Sequence, residues 1–149
     1  MRPAEKIIAY TDGGSRGNPG PAAAGVVIKD HAGRMIKSFG KALGIATNNE
    51  AEYAAVVLAL QKMRALFGRE KTKNMVVEVR MDSQLVARQL RGEYKIEEER
   101  LFPYFVKIWN SRMDFGEVAF TDVPREQNRE ADAEVNQALD REQGDLFFH

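Results

Sequence analysis

The 149 residues carry 22 Lys and Arg against 22 Asp and Glu, with 44% hydrophobic and 30% charged residues. That composition buries a core and solvates a surface, which excludes a disordered or collagen-like chain, and the length fits one domain. No apolar run approaches the roughly 18 residues of a membrane span, Met1–Lys6 leads into no signal-peptide apolar region, and without cysteine there is no disulfide framework, thiolate metal site or cysteine nucleophile.

A cytoplasmic protein is the simplest expectation. The charge balance of zero announces no nucleic-acid partner, so such a partner has to be argued from local sites.

Ile7–Tyr10 is an apolar run entering Thr-Asp-Gly-Gly, the pattern of a buried strand ending in a turn. Ser15–Pro21 reads as a tight loop by its glycines and prolines, and Ala24–Ile28 and Met35–Leu43 as a strand pair turning at Asp30–Gly33. Asn48 or Asn49 can cap the next helix, with Glu50 and Glu52 in its first turn and Tyr53, Val56, Val57, Leu60 and Met63 forming one apolar face.

Met75–Met81 reads as a strand, and Asp82-Ser83 as the cap of a helix running to Gly92. A helix over Glu97–Arg112, a strand over Val118–Val123 and a helix over Asn128–Arg141 complete the order βββαβααβα. This order predicts an α/β domain on one sheet.

Four acids fall at element ends. Asp12 and Asp82 close strands, while Glu52 and Asp132 open helices. Each also has a structural reading: Asp12 as a turn residue, Glu52 as a partner of the helix dipole, Asp82 as an N-cap and Asp132 as part of a solvated face. If they converge at the carboxyl ends of parallel strands, they repel one another unless a cation sits among them. Carboxylate oxygens without histidine or cysteine favour Mg²⁺ or Mn²⁺, and two such ions roughly 4 Å apart suit phosphoryl-transfer chemistry.

The segments Tyr10-Thr11-Asp12-Gly13-Gly14-Ser15-Arg16-Gly17-Asn18-Pro19-Gly20-Pro21, Thr47-Asn48-Asn49-Glu50-Ala51-Glu52, Asp82-Ser83-Gln84 and Asn128-Arg129-Glu130-Ala131-Asp132 occur in this order. Together they resemble ribonuclease HI over nearly the whole chain, in its short archaeal-like form. The resemblance implies a ribonuclease H-like fold, a five-stranded mixed sheet flanked by helices. It implies endonucleolytic cleavage of the RNA strand of RNA–DNA hybrids, leaving 5′-phosphate and 3′-hydroxyl ends. Asp12, Glu52, Asp82 and Asp132 fall on the family's metal ligands: Asp12 would bridge two Mg²⁺ ions, Asp132 complete the nucleophile-side ion, and Glu52 and Asp82 hold the other.

By the same resemblance Gly13 lets backbone approach the nucleic acid. Asn18, Asn49 and Gln84 offer amides to 2′-hydroxyls and base edges, with Ser83 beside them. Thr47 and Asn48 match a phosphate pocket for the DNA strand, although turn and cap chemistry explains both equally well. A non-catalytic hybrid-binding module, or a nuclease acting also on double-stranded RNA, is the alternative.

The family's loop histidine before the last helix has no counterpart in Val123–Asn128, and the only histidines are His31 and His149, read as surface residues. Arg125 is the expected substitute as a phosphate holder, and an ion pair with Glu126 or Glu130 is its structural alternative. Gly92–Arg100 stands where some members carry a basic protrusion and is net acidic, which predicts weak hybrid binding; Arg88, Arg91 and Lys95 remain phosphate candidates.

The catalytic domain is drawn over residues 1–141 and a tail over 142–149. Gln143, Asp145, Leu146 and Phe147 resemble the short peptides that dock on the bacterial sliding clamp; the competing reading has the apolar tail fold back on the sheet or join two copies. A monomer is the expected state.

Overall fold

The computed structural model describes residues 5–148, with side chains through residue 144. Its strands are β1 (Glu5–Ser15), β2 (Gly20–Asp30), β3 (Met35–Ala46), β4 (Met75–Met81) and β5 (Glu117–Asp122). Its helices are α1 (Asn48–Phe67), α2 (Arg69–Thr72), α3 (Gln84–Leu90), α4 (Phe102–Arg112) and α5 (Arg129–Phe148). The strands form one sheet in the order β3-β2-β1-β4-β5. β1 pairs antiparallel with β2 and parallel with β4, β2 antiparallel with β3, and β4 parallel with β5, so the expected five-stranded mixed sheet is present.

The apolar face of α1 forms as its spacing predicts. Tyr53, Val56, Val57, Leu60 and Met63 are buried in a core with Ile7, Ala9, Val26, Ile28, Met75, Val77 and Val79 from the sheet. Each fully buried aliphatic side chain contributes about 1.5–3 kcal/mol. The cap is Thr47 rather than Asn48 or Asn49: its hydroxyl accepts from Glu50 N (3.1 Å), and the Glu50 carboxylate accepts from Thr47 N (3.1 Å). Two otherwise orphaned N–H groups are satisfied by this reciprocal pair.

The hairpin turn lies where the sequence puts it. Asp30 Oδ1 accepts from Ala32 N and Arg34 N (2.9 Å each), and Gly33 takes φ +85°. β1 does not stop at Tyr10 but stays paired with β2 to Ser15↔Ala22. The helix predicted over Glu97–Arg112 is a 3-10 turn (Glu99–Leu101) running into α4, with Pro103 in the first helical turn, where its missing N–H costs nothing.

α5 continues past Arg141 to Phe148, so Gln143 stands on a helix rather than in a loose tail, and its side-chain amide oxygen accepts from the Arg16 guanidinium. The side chains of Asp145, Leu146 and Phe147, on which the clamp-docking expectation rests, lie outside the described residues, as does His149. Among the described residues no helix is long and apolar enough to cross a membrane.

Candidate active site

Strand register brings the first two acids together. The last parallel pair of β1 and β4 is Tyr10↔Arg80. Two residues further on stand Asp12, still inside β1 rather than closing it as expected, and Asp82, just past the end of β4. Asp82 is free for this position because Ser83, not Asp82, caps α3 by accepting from Val86 N (3.2 Å).

Main-chain contact brings in the two helices. A Cβ built on Gly13 would lie 2.1 Å from the Ala51 carbonyl carbon and 2.3 Å from Glu52 N, so only glycine lets the first turn of α1 press on β1 beside Asp12. The space left by its missing side chain is thus filled by α1. On the other face, a Cβ on Gly25, the cross-strand partner of Asp12, would meet the Ala131 carbonyl oxygen at 2.2 Å. One on Gly40 would meet that of Glu134 at 2.3 Å. α5 therefore lies directly on β2 and β3. Its start is tied to β1 by Asn128 Nδ2, which donates to the Thr11 carbonyl (2.8 Å), and Asp132 follows one turn on.

Asp12, Glu52 and Asp82 each offer a carboxylate oxygen within 4.8 Å of the others. Asp132 lines the same cleft, of about 340 Å³, together with Ser15, Arg16 and Arg125. Asp12 is only 7% exposed. Burial first, then the Asp82 and Asp132 carboxylates, push its pKa from 3.8 up to about 8. Burial, then the charges of Asp12 and Asp82, hold Glu52 well above its ordinary value. At such spacing each ionised pair repels by about 3 kcal/mol at an effective dielectric of 20.

Glu52 Oε2 is buried without any hydrogen-bond partner. A buried carboxylate oxygen left in that condition, facing two further carboxylates, fits a hard divalent cation. The donor set is all oxygen, with His31 exposed on the distant hairpin turn, and so disfavours zinc.

The remaining candidates divide into two groups. Thr47 and Ser83 spend their hydroxyls on helix caps. Asn48 Oδ1 accepts from Ser15 N (2.9 Å) and Ser15 Oγ (3.0 Å), while Asn48 N donates to Asn18 Oδ1 (3.1 Å). These contacts hold the β1–β2 loop against the start of α1, so the cap and turn chemistry foreseen for Thr47 and Asn48 is present. Asn18, Thr47, Asn48 and Asn49 nevertheless line one groove of about 820 Å³.

Gln84 is exposed at the start of α3, outside that lining. Arg125 Nε lies 3.6 Å from Asp82 Oδ2. Of the two partners foreseen as its alternative, Glu130 bonds Lys29 instead (2.6 Å), and among the described residues Glu126 makes no ion pair with it. Arg88 donates to the Tyr94 hydroxyl (2.7 Å), and Arg91 is held by Glu93 and Asp122.

The chain matches the reverse transcriptase-like family over residues 10–138, a span that contains all four acids. It is 42% identical to ribonuclease HI of Halobacterium salinarum over 135 residues, 91% of this chain and 65% of that protein. The chain belongs to the ribonuclease H family of hydrolases. An RNase H1 isolated from compost superposes on this ribonuclease H chain with a TM-score of 0.87 at 45% identity, covering 93% of this chain and 98% of that one. The same compost enzyme is known in complex with an RNA/DNA hybrid. A bifunctional protein of Mycobacterium tuberculosis is 36% identical over 91% of this chain, but the chain spans only 36% of its length.

Two features of this site escape the sequence reading. Gly25 and Gly40, inside strands, carried the signal of a close backbone approach. Glu98, which accepts from Asn49 Nδ2 (3.0 Å), had no signal beyond the acidity of its segment.

Proposed function

We propose that this chain cleaves the RNA strand of RNA–DNA hybrids by metal-assisted hydrolysis, leaving a 5′-phosphate and a 3′-hydroxyl. The observation that carries the reading is the convergence of Asp12, Glu52 and Asp82 within 4.8 Å, with Asp132 on the same cleft. Asp12, Glu52, Asp82 and Asp132 would hold Mg²⁺, two ions by resemblance to the family, with Mn²⁺ as a substitute. When bound, such ions lower the pKa of water and neutralise charge on the phosphate in flight.

The chain's own groups supply the rest. Arg125, almost wholly exposed and only loosely paired, can turn from Asp82 to the scissile or leaving phosphate, where a guanidinium binds two oxygens at once. Asn18 and Asn49 border the adjoining groove, where amides can meet 2′-hydroxyls that DNA lacks. Arg125→Ala is expected to lower kcat/KM on a hybrid about 3–10-fold. Steady-state kinetics with unaltered kcat and KM would remove Arg125 from the reaction.

The reading as a whole is tested with labelled hybrid, duplex RNA and duplex DNA, each with Mg²⁺ or EDTA. Cleavage of the hybrid's RNA strand in Mg²⁺ alone is the expected result. Binding without cleavage would leave a hybrid-binding module, and preference for duplex RNA would reassign the substrate.

A further inference from the structure

The groove beside the acidic cleft is itself net acidic, as the composition of Gly92–Arg100 leads one to expect. Glu98 and Glu99 line it against a single cation, Arg100. Asn49, one of the amides on this groove, already donates to Glu98 Oε1 at 3.0 Å.

That contact is not what holds the segment in place. Leu101, buried to 1% exposure, anchors the following turn, and its N–H donates to the Glu98 carbonyl (3.0 Å). Upstream, buried Gln89 donates to the Lys95 carbonyl (3.4 Å) and accepts from the Tyr53 hydroxyl of α1 (2.6 Å). The backbone on both sides of Glu98 is therefore fixed without its carboxylate, which is exposed and can swing away.

We propose that Glu98 is a gate on this groove: in the free protein its carboxylate occupies the Asn49 amide, and a strand entering the groove displaces it. The proposal rests on the hydrolase reading above and adds a residue that sets its affinity. A polyanion meets a like charge at the entrance, and only a strand that replaces the lost hydrogen bond at Asn49 offsets that repulsion. Mixed or weakly bound strands are rejected there, at the expense of affinity for the correct one.

The test measures KM and kcat on an RNA–DNA hybrid in Mg²⁺ for wild type, Glu98→Gln, Glu98→Ala and Glu99→Gln. Glutamine keeps an acceptor for Asn49 and removes the charge, whereas alanine removes both. The gate predicts a KM about 3–10-fold lower for Glu98→Gln, and at least as low for Glu98→Ala. The change appears in KM rather than kcat, and the gain shrinks as salt screens the groove.

A KM that is unchanged or raised in Glu98→Gln overturns the gate while leaving the hydrolase reading intact. An equal gain in Glu99→Gln also overturns it, because the effect would then be diffuse charge rather than release of Asn49. Wild-type protein that cleaves no hybrid with any divalent ion overturns both.

Discussion

Asp12→Asn is expected to abolish hybrid cleavage, by at least about a thousandfold in kcat, while making the metal-free protein more stable at pH 8. Asp12 is the buried member of the cluster, and that burial, then the Asp82 and Asp132 carboxylates, push its pKa from 3.8 to about 8. The folded, metal-free protein thus retains up to about pH 8 a proton that the unfolded chain releases near pH 4. Between those values the native state binds more protons, so its stability falls as pH rises. The favourable contribution is complete below about pH 4 and gone above about pH 8.

Asparagine removes the charge and most of this slope. Melting curves in EDTA should coincide near pH 4–5 and separate towards pH 8, where the variant melts higher by about 1–3 kcal/mol, or roughly 3–10 °C. Mg²⁺ should stabilise the wild type more at pH 8 than at pH 5, because binding requires the ionised carboxylates. Equal melting of the two proteins at pH 8 in EDTA would mean that the acids do not crowd one another.

The second large effect is expected at Gly13. Alanine there would place a methyl 2.1 Å from the Ala51 carbonyl carbon, a backbone atom that cannot rotate away. α1 has to move outward, at a cost of about 2–4 kcal/mol and a fall in Tm of roughly 5–15 °C. Glu52 moves with it, and a displacement of about 1 Å at such a centre costs on the order of a hundredfold in rate.

Gly14→Ala is the internal control for stability. Its Cβ would meet only Val135 Cγ1 at 3.7 Å, ordinary contact distance, and the change in stability should stay within about 1 kcal/mol. Calorimetry and kinetics on both variants decide the matter. A Gly13→Ala protein with wild-type Tm and turnover would show that α1 is not held by this contact.

These expectations show which parts of the molecule its sequence makes legible. Strands and helices announce themselves by period, and the apolar face of α1 is buried as its spacing requires. The Asp12–Glu52–Asp82 cluster could be anticipated because element ends converge at one edge of such a sheet. Caps were harder to place, since Thr47 and Ser83 each stand beside residues of equal capping propensity, and only the hydrogen-bond geometry chooses between them.

The extent of α5 past Arg141 is not legible because the motif that marks the helix, Asn128–Asp132, ends in its first turn. What holds the helices to the sheet was hidden most completely. A glycine in a strand looks like a weakness until the backbone that rests on it is known. The Asn49–Glu98 contact joins residues far apart in sequence and leaves no pattern in either segment.

The glycine seats under α1 and α5 bear on how this protein can change over time. Side chains buried away from the cleft, Met63 and Met75 among them, take no part in those contacts. The spacing of the acids is inherited from main chain lying on main chain. A protein engineer seeking heat resistance can therefore vary those interior positions first and leave Gly13, Gly25 and Gly40 untouched.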